Sequence, residues 1–124
     1  STAMADDDNN VFAKILRGEI PCDKVYEDDH VLAFRDINPQ APVHVLVIPK
    51  AAHVSAQDFG ANASPEEAQA LWAAIPKIAA QEGVAEGGYR LIANTGANGG
   101  QEVPHLHVHI LGGRPLGRLV AKDG

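Results

Sequence analysis

The spacing of apolar residues predicts two main helices. The first begins after Asn10, which can cap it, and ends at Gly18. The second begins at residues 64–67, where a serine precedes a proline and two acids, and Pro76 inside it predicts a kink or an interruption. Each helix has one apolar face. The faces consist of Val11, Phe12, Ile15 and Leu16 in the first helix and of Ala68, Leu71, Trp72, Ile75, Ile78 and Ala79 in the second.

Short runs of β-branched and aromatic residues predict five strands. They cover residues 24–27, 31–35, 43–48, 89–94 and 105–111. The run at 43–48 is almost continuously apolar, which is typical of a central strand covered on both faces. A turn at 28–30 connects the first two strands as a hairpin, and residues 95–100 form a glycine-rich loop. This order of elements predicts an α+β fold with a mainly antiparallel sheet.

The composition narrows the class of protein. With 124 residues the chain is long enough for one domain, and 45% hydrophobic and 21% charged residues are typical of a globular protein. A net charge of −6 argues against a broad electrostatic surface for nucleic acid. The single Cys22 excludes an internal disulfide framework and a cysteine-based zinc site. No apolar run is long enough for a membrane span and the acidic start differs from a signal peptide, so we expect a cytoplasmic protein.

The chain divides into three parts. Residues 1–10 are polar and acidic, and we interpret them as a disordered lead-in that derives partly from cloning. Residues 11–114 form the single domain. Residues 115–124 form a C-terminal tail without a periodic pattern.

The most informative motif is a row of three alternating histidines, His105, His107 and His109. Alternate residues of a strand point to the same face, about 6.6 Å apart, so three imidazoles line one surface while the residues between them face the core. Such a row can bind a metal, with Glu102 or His44 as a further ligand. It can also act on a phosphate ester, with one ring attacking and its neighbours moving protons.

The segment just upstream favours phosphate. Residues 94–101 contain three glycines and two asparagines, and such a loop can turn successive backbone N–H groups inward as an anion site. Gln101 can also donate its side-chain amide to a phosphate oxygen. The remaining histidines, His30 and His53, fall in loops and are assigned no role.

Three blocks of the sequence together resemble the histidine-triad (HIT) family. Residues 99–114 contain the pattern H-φ-H-φ-H-φ-φ, in which φ is apolar, and residues 34–50 and 11–21 resemble two further blocks of the family in the expected order. The closest branch is the Hint type, nucleotide-binding proteins that hydrolyse purine nucleoside phosphoramidates. The resemblance implies the HIT fold and a homodimer whose two sheets join.

The resemblance also implies a role for each histidine. His107 would be the nucleophile that is transiently nucleotidylated, and His109 would contact the phosphate and help to protonate the leaving amine. His105 and His44 would complete the network that holds the tautomers. The implied reaction is hydrolysis of the P–N bond of a purine nucleoside phosphoramidate, of the AMP-amine or AMP-lysine type, without a metal or other cofactor.

The nucleotide site follows from the same resemblance. Asp36 would hold the ribose hydroxyls. Phe12, Ile15, Phe34 and Ile37 would form an apolar slot for the base. Asn94, Gly100, Gln101 and the backbone of Glu102 would hold the α-phosphate beside His107 and His109. At Glu102 many relatives carry a serine, and an acid there weakens phosphate binding unless its side chain turns away.

Other functions remain open on the sequence alone. The same histidines suit a dinucleoside polyphosphate hydrolase, and the same pocket suits a purine-nucleotide binding or scaffold protein with little turnover. An unrelated metalloprotein is a further alternative. The ligand we expect is a purine nucleoside monophosphate or phosphoramidate, and we expect a homodimer that interacts with neither nucleic acid nor membrane.

Overall fold

A computed structural model describes residues 8–122. Its centre is a five-stranded sheet in the order β1-β2-β3-β5-β4, in which every neighbouring pair is antiparallel. The strands are β1 (Lys24–Glu27), β2 (Val31–Arg35), β3 (Val43–Pro49), β4 (Tyr89–Ile92) and β5 (Val108–Gly112). The predicted α+β class and antiparallel sheet are confirmed. Residues 1–7 of the predicted lead-in and residues 123–124 of the predicted tail lie outside the described residues.

Four helices flank the sheet within the described range: α1 (Val11–Leu16), α2 (Ala56–Asn62), α3 (Pro65–Gln81) and α4 (Gly96–Gly99). The two predicted helices begin as expected. Asn10 Oδ1 accepts from the Ala13 N–H at 2.9 Å, and Ser64 and Glu67 form a reciprocal capping box at the start of α3. Within residues 8–122 no helix is long and apolar enough to cross a membrane.

Helix α3 continues through Pro76, so the predicted alternative that it ends and restarts there is wrong. Proline removes the N–H that would bond to the carbonyl of Trp72, one turn earlier. Both residues lie on the exposed side of α3, where water can solvate that carbonyl. The helix therefore tolerates the proline because the lost bond is not buried.

Helix α2 was not predicted, although its start carries a sequence signal. Ser55 Oγ accepts from the Asp58 N–H at 3.3 Å, which is the S-x-x-D pattern of a helix N-terminus. Phe59 is the buried residue of this helix and joins the main core. A helix of seven residues with one large apolar side chain has too little periodicity to be recognised from spacing alone.

The sheet separates two apolar clusters. On the side of α3 lie Val31, Ala33, Val45, Val47, Phe59, Leu71, Ala74, Ile75, Ile78, Leu106, Val108 and Ile110. On the side of α1 lie Phe12, Leu32, Phe34, Leu46 and Ile48. Central strand β3 is buried over nearly its whole length, as predicted, because both clusters cover it. Because strand residues alternate between faces and His109 pairs with Leu46, His109 of β5 lies on the α1 side together with Phe12.

Two predicted strand boundaries and one predicted loop around the histidines are wrong. Strand β5 begins at Val108 rather than at 105, β4 ends at Ile92 rather than at 94, and the glycine-rich loop contains the single turn α4. The last pair between β3 and β5 is Val47 with Val108. Strand β3 ends at Pro49, which has no N–H to extend the ladder, so the residues before Val108 take other partners.

Candidate active site

The structure brings most of the predicted residues to one cavity of about 370 Å³ on the α1 side of the sheet. It is lined by Phe12, Asp36, Leu46, Asn94, Gly100, Glu102, Val103, His107 and His109. Seven of these nine were predicted from the sequence; Leu46 and Val103 were not, because an apolar residue of a strand or loop carries no signal of its own. The cavity lies in the range of small-ligand sites.

Two neighbouring strands place His44 and His109 in contact. His44 pairs with Leu111 and His109 pairs with Leu46 in the β3–β5 ladder, so both imidazoles project from the same face. His44 Nε2 lies 2.8 Å from His109 Nδ1. The Gln40 N–H donates to His44 Nδ1 at 3.0 Å. That nitrogen is therefore an acceptor, and a neutral His44 carries its proton on Nε2 and donates it to His109.

The Gln40 N–H, acting through His44, determines the tautomer of His109. Because its Nδ1 accepts from His44, a neutral His109 carries its proton on Nε2. Burial is the main cause that lowers the pKa of His109, to about 4, with His107 and His44 acting in the same direction. Burial likewise lowers the pKa of His44, against the opposing effect of Asp36. The site is thus built to hold both rings neutral at pH 7, with a donor on His109 Nε2.

His107 has the opposite tautomer. Its Nδ1 lies 2.8 Å from the carbonyl oxygen of His105, which can only accept, so Nδ1 carries the proton. Its Nε2 therefore has a free lone pair in the neutral ring. The ring packs edge-on against Phe12, with centroids 4.8 Å apart, and lies 5.1 Å from the ring of His109. A neutral imidazole held in one orientation with a free Nε2 is what nucleophilic attack requires.

His105 is buried and supports the other histidines. Its Nε2 donates to the carbonyl oxygen of Pro49 at 2.8 Å, and burial lowers its pKa. The Phe12 ring packs edge-on against it, with centroids 6.4 Å apart. The three imidazoles of the predicted row therefore have different environments: His105 is buried, whereas His107 and His109 line the cavity.

Asp36 lies at the edge of the cavity beside His44. One carboxylate oxygen is 3.5 Å from His44 Nε2, and the other accepts from the Asn38 N–H at 2.8 Å. The Asp36 N–H donates to the carbonyl oxygen of His44 at 2.9 Å. Asp36 therefore lies where its carboxylate can accept from a ligand hydroxyl. Its contacts with His44 also connect it to the His44–His109 pair.

The loop expected to hold phosphate is shaped by Gln101. The side-chain oxygen accepts from the Gly96 N–H at 3.1 Å, and the amide nitrogen donates to the carbonyl oxygens of Val54 and Val103 at 2.6 and 3.0 Å. Both amide hydrogens are used inside the protein, so the side chain is not presented to the cavity as we expected. Gly100 lines the cavity with φ +78°, a conformation that favours glycine.

The expected base slot is only partly assembled. Phe12 lines the cavity, Phe34 packs behind it with ring centroids 5.8 Å apart, and Ile15 packs against the same cluster. Ile37 is 99% exposed and touches none of these residues in a buried contact. A base that enters between Phe12 and Ile37 would cover the exposed side chain of Ile37. The role of Ile37 in the base slot stays a prediction.

Two acids and no lysine or arginine line the part of the cavity that residues 8–122 describe. A bound phosphate must therefore be neutralised by histidines and by N–H donors rather than by cationic side chains. Glu102 is exposed, so its carboxylate can turn to solvent. With the carboxylate in solvent, the backbone N–H of Glu102, which follows the turn α4, is the group of this residue that can face a phosphate.

Among residues 8–122, Asp36, His44 and His109 form a group that could hold a metal, because one ligand atom of each lies within 4.8 Å of the others. A histidine ligand normally donates its second ring N–H to an acceptor. The second nitrogen of His44 instead accepts from the Gln40 N–H, which leaves a proton on the nitrogen that would bind the metal. The donor set therefore does not fit a resident metal ion.

Fold and site together define an α+β protein with a small-ligand cavity. One of its histidines comes from β5, one comes from the segment before β5, and a histidine of the adjacent strand β3 contacts the first. The sequence model of the HIT domain matches residues 17–116. The chain belongs to the HIT domain family.

Similar proteins and solved structures support this family membership. The chain is 54% identical over 120 residues to the purine nucleoside phosphoramidase of Escherichia coli, covering 94% of this chain and 98% of the relative. It is 56% identical over 116 residues to a HIT-like protein of Azospirillum brasilense, with 94% and 95% covered. A HIT family hydrolase from Clostridium thermocellum has a similar structure, with a TM-score of 0.84, 44% identity and 93% and 99% of the two chains covered.

Proposed function

We propose that this protein is a hydrolase that cleaves the P–N bond of purine nucleoside phosphoramidates through a nucleotidyl intermediate on His107. The observation that carries the proposal is the pair of opposite tautomers: a free Nε2 lone pair on His107 beside an Nε2 donor on His109. The similarity to a purine nucleoside phosphoramidase supports the substrate class.

In the first step His107 Nε2 bonds to phosphorus as the P–N bond breaks. Binding of the anionic substrate protonates His109, which gives its Nε2 proton to the departing nitrogen and becomes neutral as the neutral amine leaves. In the second step water attacks phosphorus, the bond to His107 breaks, and the proton of the water returns to His109. The products are the nucleoside monophosphate and the free amine, and neither step requires a metal.

The environment of the histidines suits this sequence of steps. The hydrogen bond to the His105 carbonyl stabilises the positive charge that develops on His107 when its Nε2 becomes bonded. An anionic phosphate in the cavity favours the protonated forms of nearby rings, so the pKa of His109 rises from about 4 when substrate binds. Proton transfer by a positioned side chain typically contributes about 10²–10⁴-fold to the rate.

Steady-state hydrolysis of an adenosine phosphoramidate by metal-stripped protein tests the proposal. We expect turnover by the wild type, none by His107→Ala, and a phosphorus–histidine adduct that mass spectrometry detects after rapid acid quench. A diadenosine polyphosphate in a parallel assay tests the alternative leaving group. Binding without turnover of either substrate would identify a nucleotide-binding protein, and activity retained in His107→Ala would refute the nucleophile.

We also propose that the protein is a homodimer in the cytoplasm. Strand β4 is an edge strand of the sheet, with Tyr89 and Ile92 partly exposed. Beside it lies an apolar groove of about 330 Å³ that includes Leu91 and Trp72, and Trp72 is 62% exposed. A second copy of this chain that pairs with β4 covers both features. Light scattering at micromolar concentration should give twice the chain mass for the wild type and a single-chain mass for Trp72→Glu.

A further inference from the structure

The histidine-bearing segment is held by a part of the chain that the proposed reaction does not use. Residues 101–107, which we call the catalytic segment, lie outside the β3–β5 ladder. Three of its groups donate instead to carbonyl oxygens of residues 49–54, which we call the acceptor segment. The bonds are His105 Nε2 to Pro49, Leu106 N–H to His53 and Gln101 Nε2 to Val54, at 2.8, 2.7 and 2.6 Å.

The acceptor segment is itself held by two acids from neighbouring helices. His53 Nε2 lies 2.7 Å from Glu67 Oε2 on α3, and the two side chains are 13% and 20% exposed. The Val54 N–H donates to Asp58 on α2 at 2.7 Å. The Phe59 ring packs edge-on against the His53 imidazole, with centroids 5.0 Å apart. His53 is thus a half-buried, partnered side chain rather than a surface loop residue.

We propose that His53, held by Glu67, is a positioning residue for the catalytic segment. Its side chain is tied to α3 while its carbonyl holds Leu106, the residue between His105 and His107. The effect on the reaction rests on the proposed function; the effect on the segment does not.

The connection from His53 to His107 consists of hydrogen bonds in series. The His53 carbonyl holds the Leu106 amide, whose nitrogen is bonded directly to the His105 carbonyl carbon. The oxygen of that same carbonyl accepts from His107 Nδ1 and determines the His107 tautomer. A displacement of His53 therefore turns the peptide unit that orients the nucleophile. Misplacement of a reacting group by about 1 Å can reduce a rate by about 10²-fold.

Glu67 allows this contact to be changed without removing the helix start. Its other oxygen accepts from the Ser64 N–H at 2.9 Å as part of the capping box. In Glu67→Gln the side-chain oxygen can keep that bond, since glutamine also forms capping boxes. The charged acceptor that holds the proton on His53 Nε2 is replaced by an amide donor. Glu66→Gln is the matched control, because it removes the same charge from the same turn at an exposed position.

The direct measurement is hydrogen exchange of the Leu106 amide by NMR. We expect exchange at least about tenfold faster than in the wild type for Glu67→Gln and His53→Ala, and unchanged exchange for Glu66→Gln. His53→Gln, which restores a donor to Glu67, should recover most of the protection. Equal protection of Leu106 in wild type and Glu67→Gln, or equal loss in Glu66→Gln, would overturn the proposal.

Two further readouts separate positioning from a general loss of stability. The ¹⁵N shifts of the His107 ring should show one tautomer in the wild type and a mixture in Glu67→Gln. With an adenosine phosphoramidate, kcat should fall about 10- to 100-fold while KM changes less, because Asp36 and Phe12 do not depend on this contact. If the wild type turns over no substrate, the proposed function fails, and the Leu106 exchange still decides the inference.

Discussion

His44 Nε2 lies 2.8 Å from His109 Nδ1, and this contact joins the central strand of the sheet to its neighbour inside the candidate site. The two residues are 65 positions apart in the chain. The Gln40 amide on one side of His44 sets the direction of the proton in this contact. The backbone N–H of Gln40, acting through the His44 ring, therefore determines that His109 presents a donor to a ligand.

Removal of the His44 donor should impair the reaction without emptying the cavity. In His44→Phe the ring volume is retained but His109 loses the bond that holds its Nδ1 as an acceptor. We expect kcat for an adenosine phosphoramidate to fall about 10²-fold, with the affinity for AMP nearly unchanged. His30→Phe, at an exposed turn histidine, is the control. Wild-type kcat in His44→Phe would contradict the relay from His44 to His109.

Stability should decrease as the pH falls from about 6.5 to 4. Burial lowers the pKa of His109 to about 4 from an unfolded value of 6.5, so between these values the unfolded chain binds the proton and the folded protein does not. The free energy of unfolding therefore rises with pH across this window. His44 and His105 have pKa values lowered in the same direction and add to the effect.

Urea unfolding between pH 4.5 and 7 measures this dependence. His109→Asn should unfold with a shallower pH dependence above pH 5 than the wild type, because the variant lacks one buried titrating ring. Glu27, whose pKa two lysines lower from 4.5 to about 2, also contributes at the acid end of this window, but it is present in both proteins and cancels in the comparison. An identical slope in wild type and variant would contradict a neutral, buried His109.

Arg90 should hold the C-terminal tail on the sheet. Its guanidinium donates to the carbonyl oxygens of Arg118 and Gly117, each at 3.0 Å. Arg90→Gln removes this forked donor, and we expect trypsin to cleave after Arg118 several-fold faster than in the wild type. Lys77→Gln, an exposed change on α3, should leave the cleavage rate unchanged. Equal rates for Arg90→Gln and wild type would show that the tail is held by other contacts.

Gly113 should tolerate no side chain. A Cβ atom there would lie 2.8 Å from Pro42 Cβ, and the residue has φ +97°. We expect Gly113→Ala to lower the free energy of unfolding by about 1–3 kcal/mol. Gly60 lies within α2 and has open space around it, so Gly60→Ala should raise that free energy by about 0.5–1 kcal/mol. Chemical denaturation measures both, and a Gly113→Ala as stable as the wild type would be inconsistent with this packing.

Elements with strong local signals were predictable from the sequence. The capping box of α3, the cap of α1 and the apolar run of β3 all depend on residues close together in the chain, and all three elements form where expected. The alternation of His105, His107 and His109 with apolar residues likewise predicted that the rings and the core residues lie on opposite sides. Local pattern is sufficient here because backbone geometry relates neighbouring residues directly.

The tertiary structure alone decided how those histidines differ. The β5 ladder stops at Val108 because Pro49, nearly sixty positions earlier in the chain, offers no N–H, and the segment before it then takes carbonyl partners from residues 49–54. The carbonyl of Pro49 fixes the proton of the His105 ring, and the carbonyl of His105 fixes that of the His107 ring. The Gln40 N–H, acting through His44, fixes that of the His109 ring. Contacts between distant residues depend on which strands meet and in what register, so residue spacing indicates the chemistry while the fold selects the donor and the nucleophile.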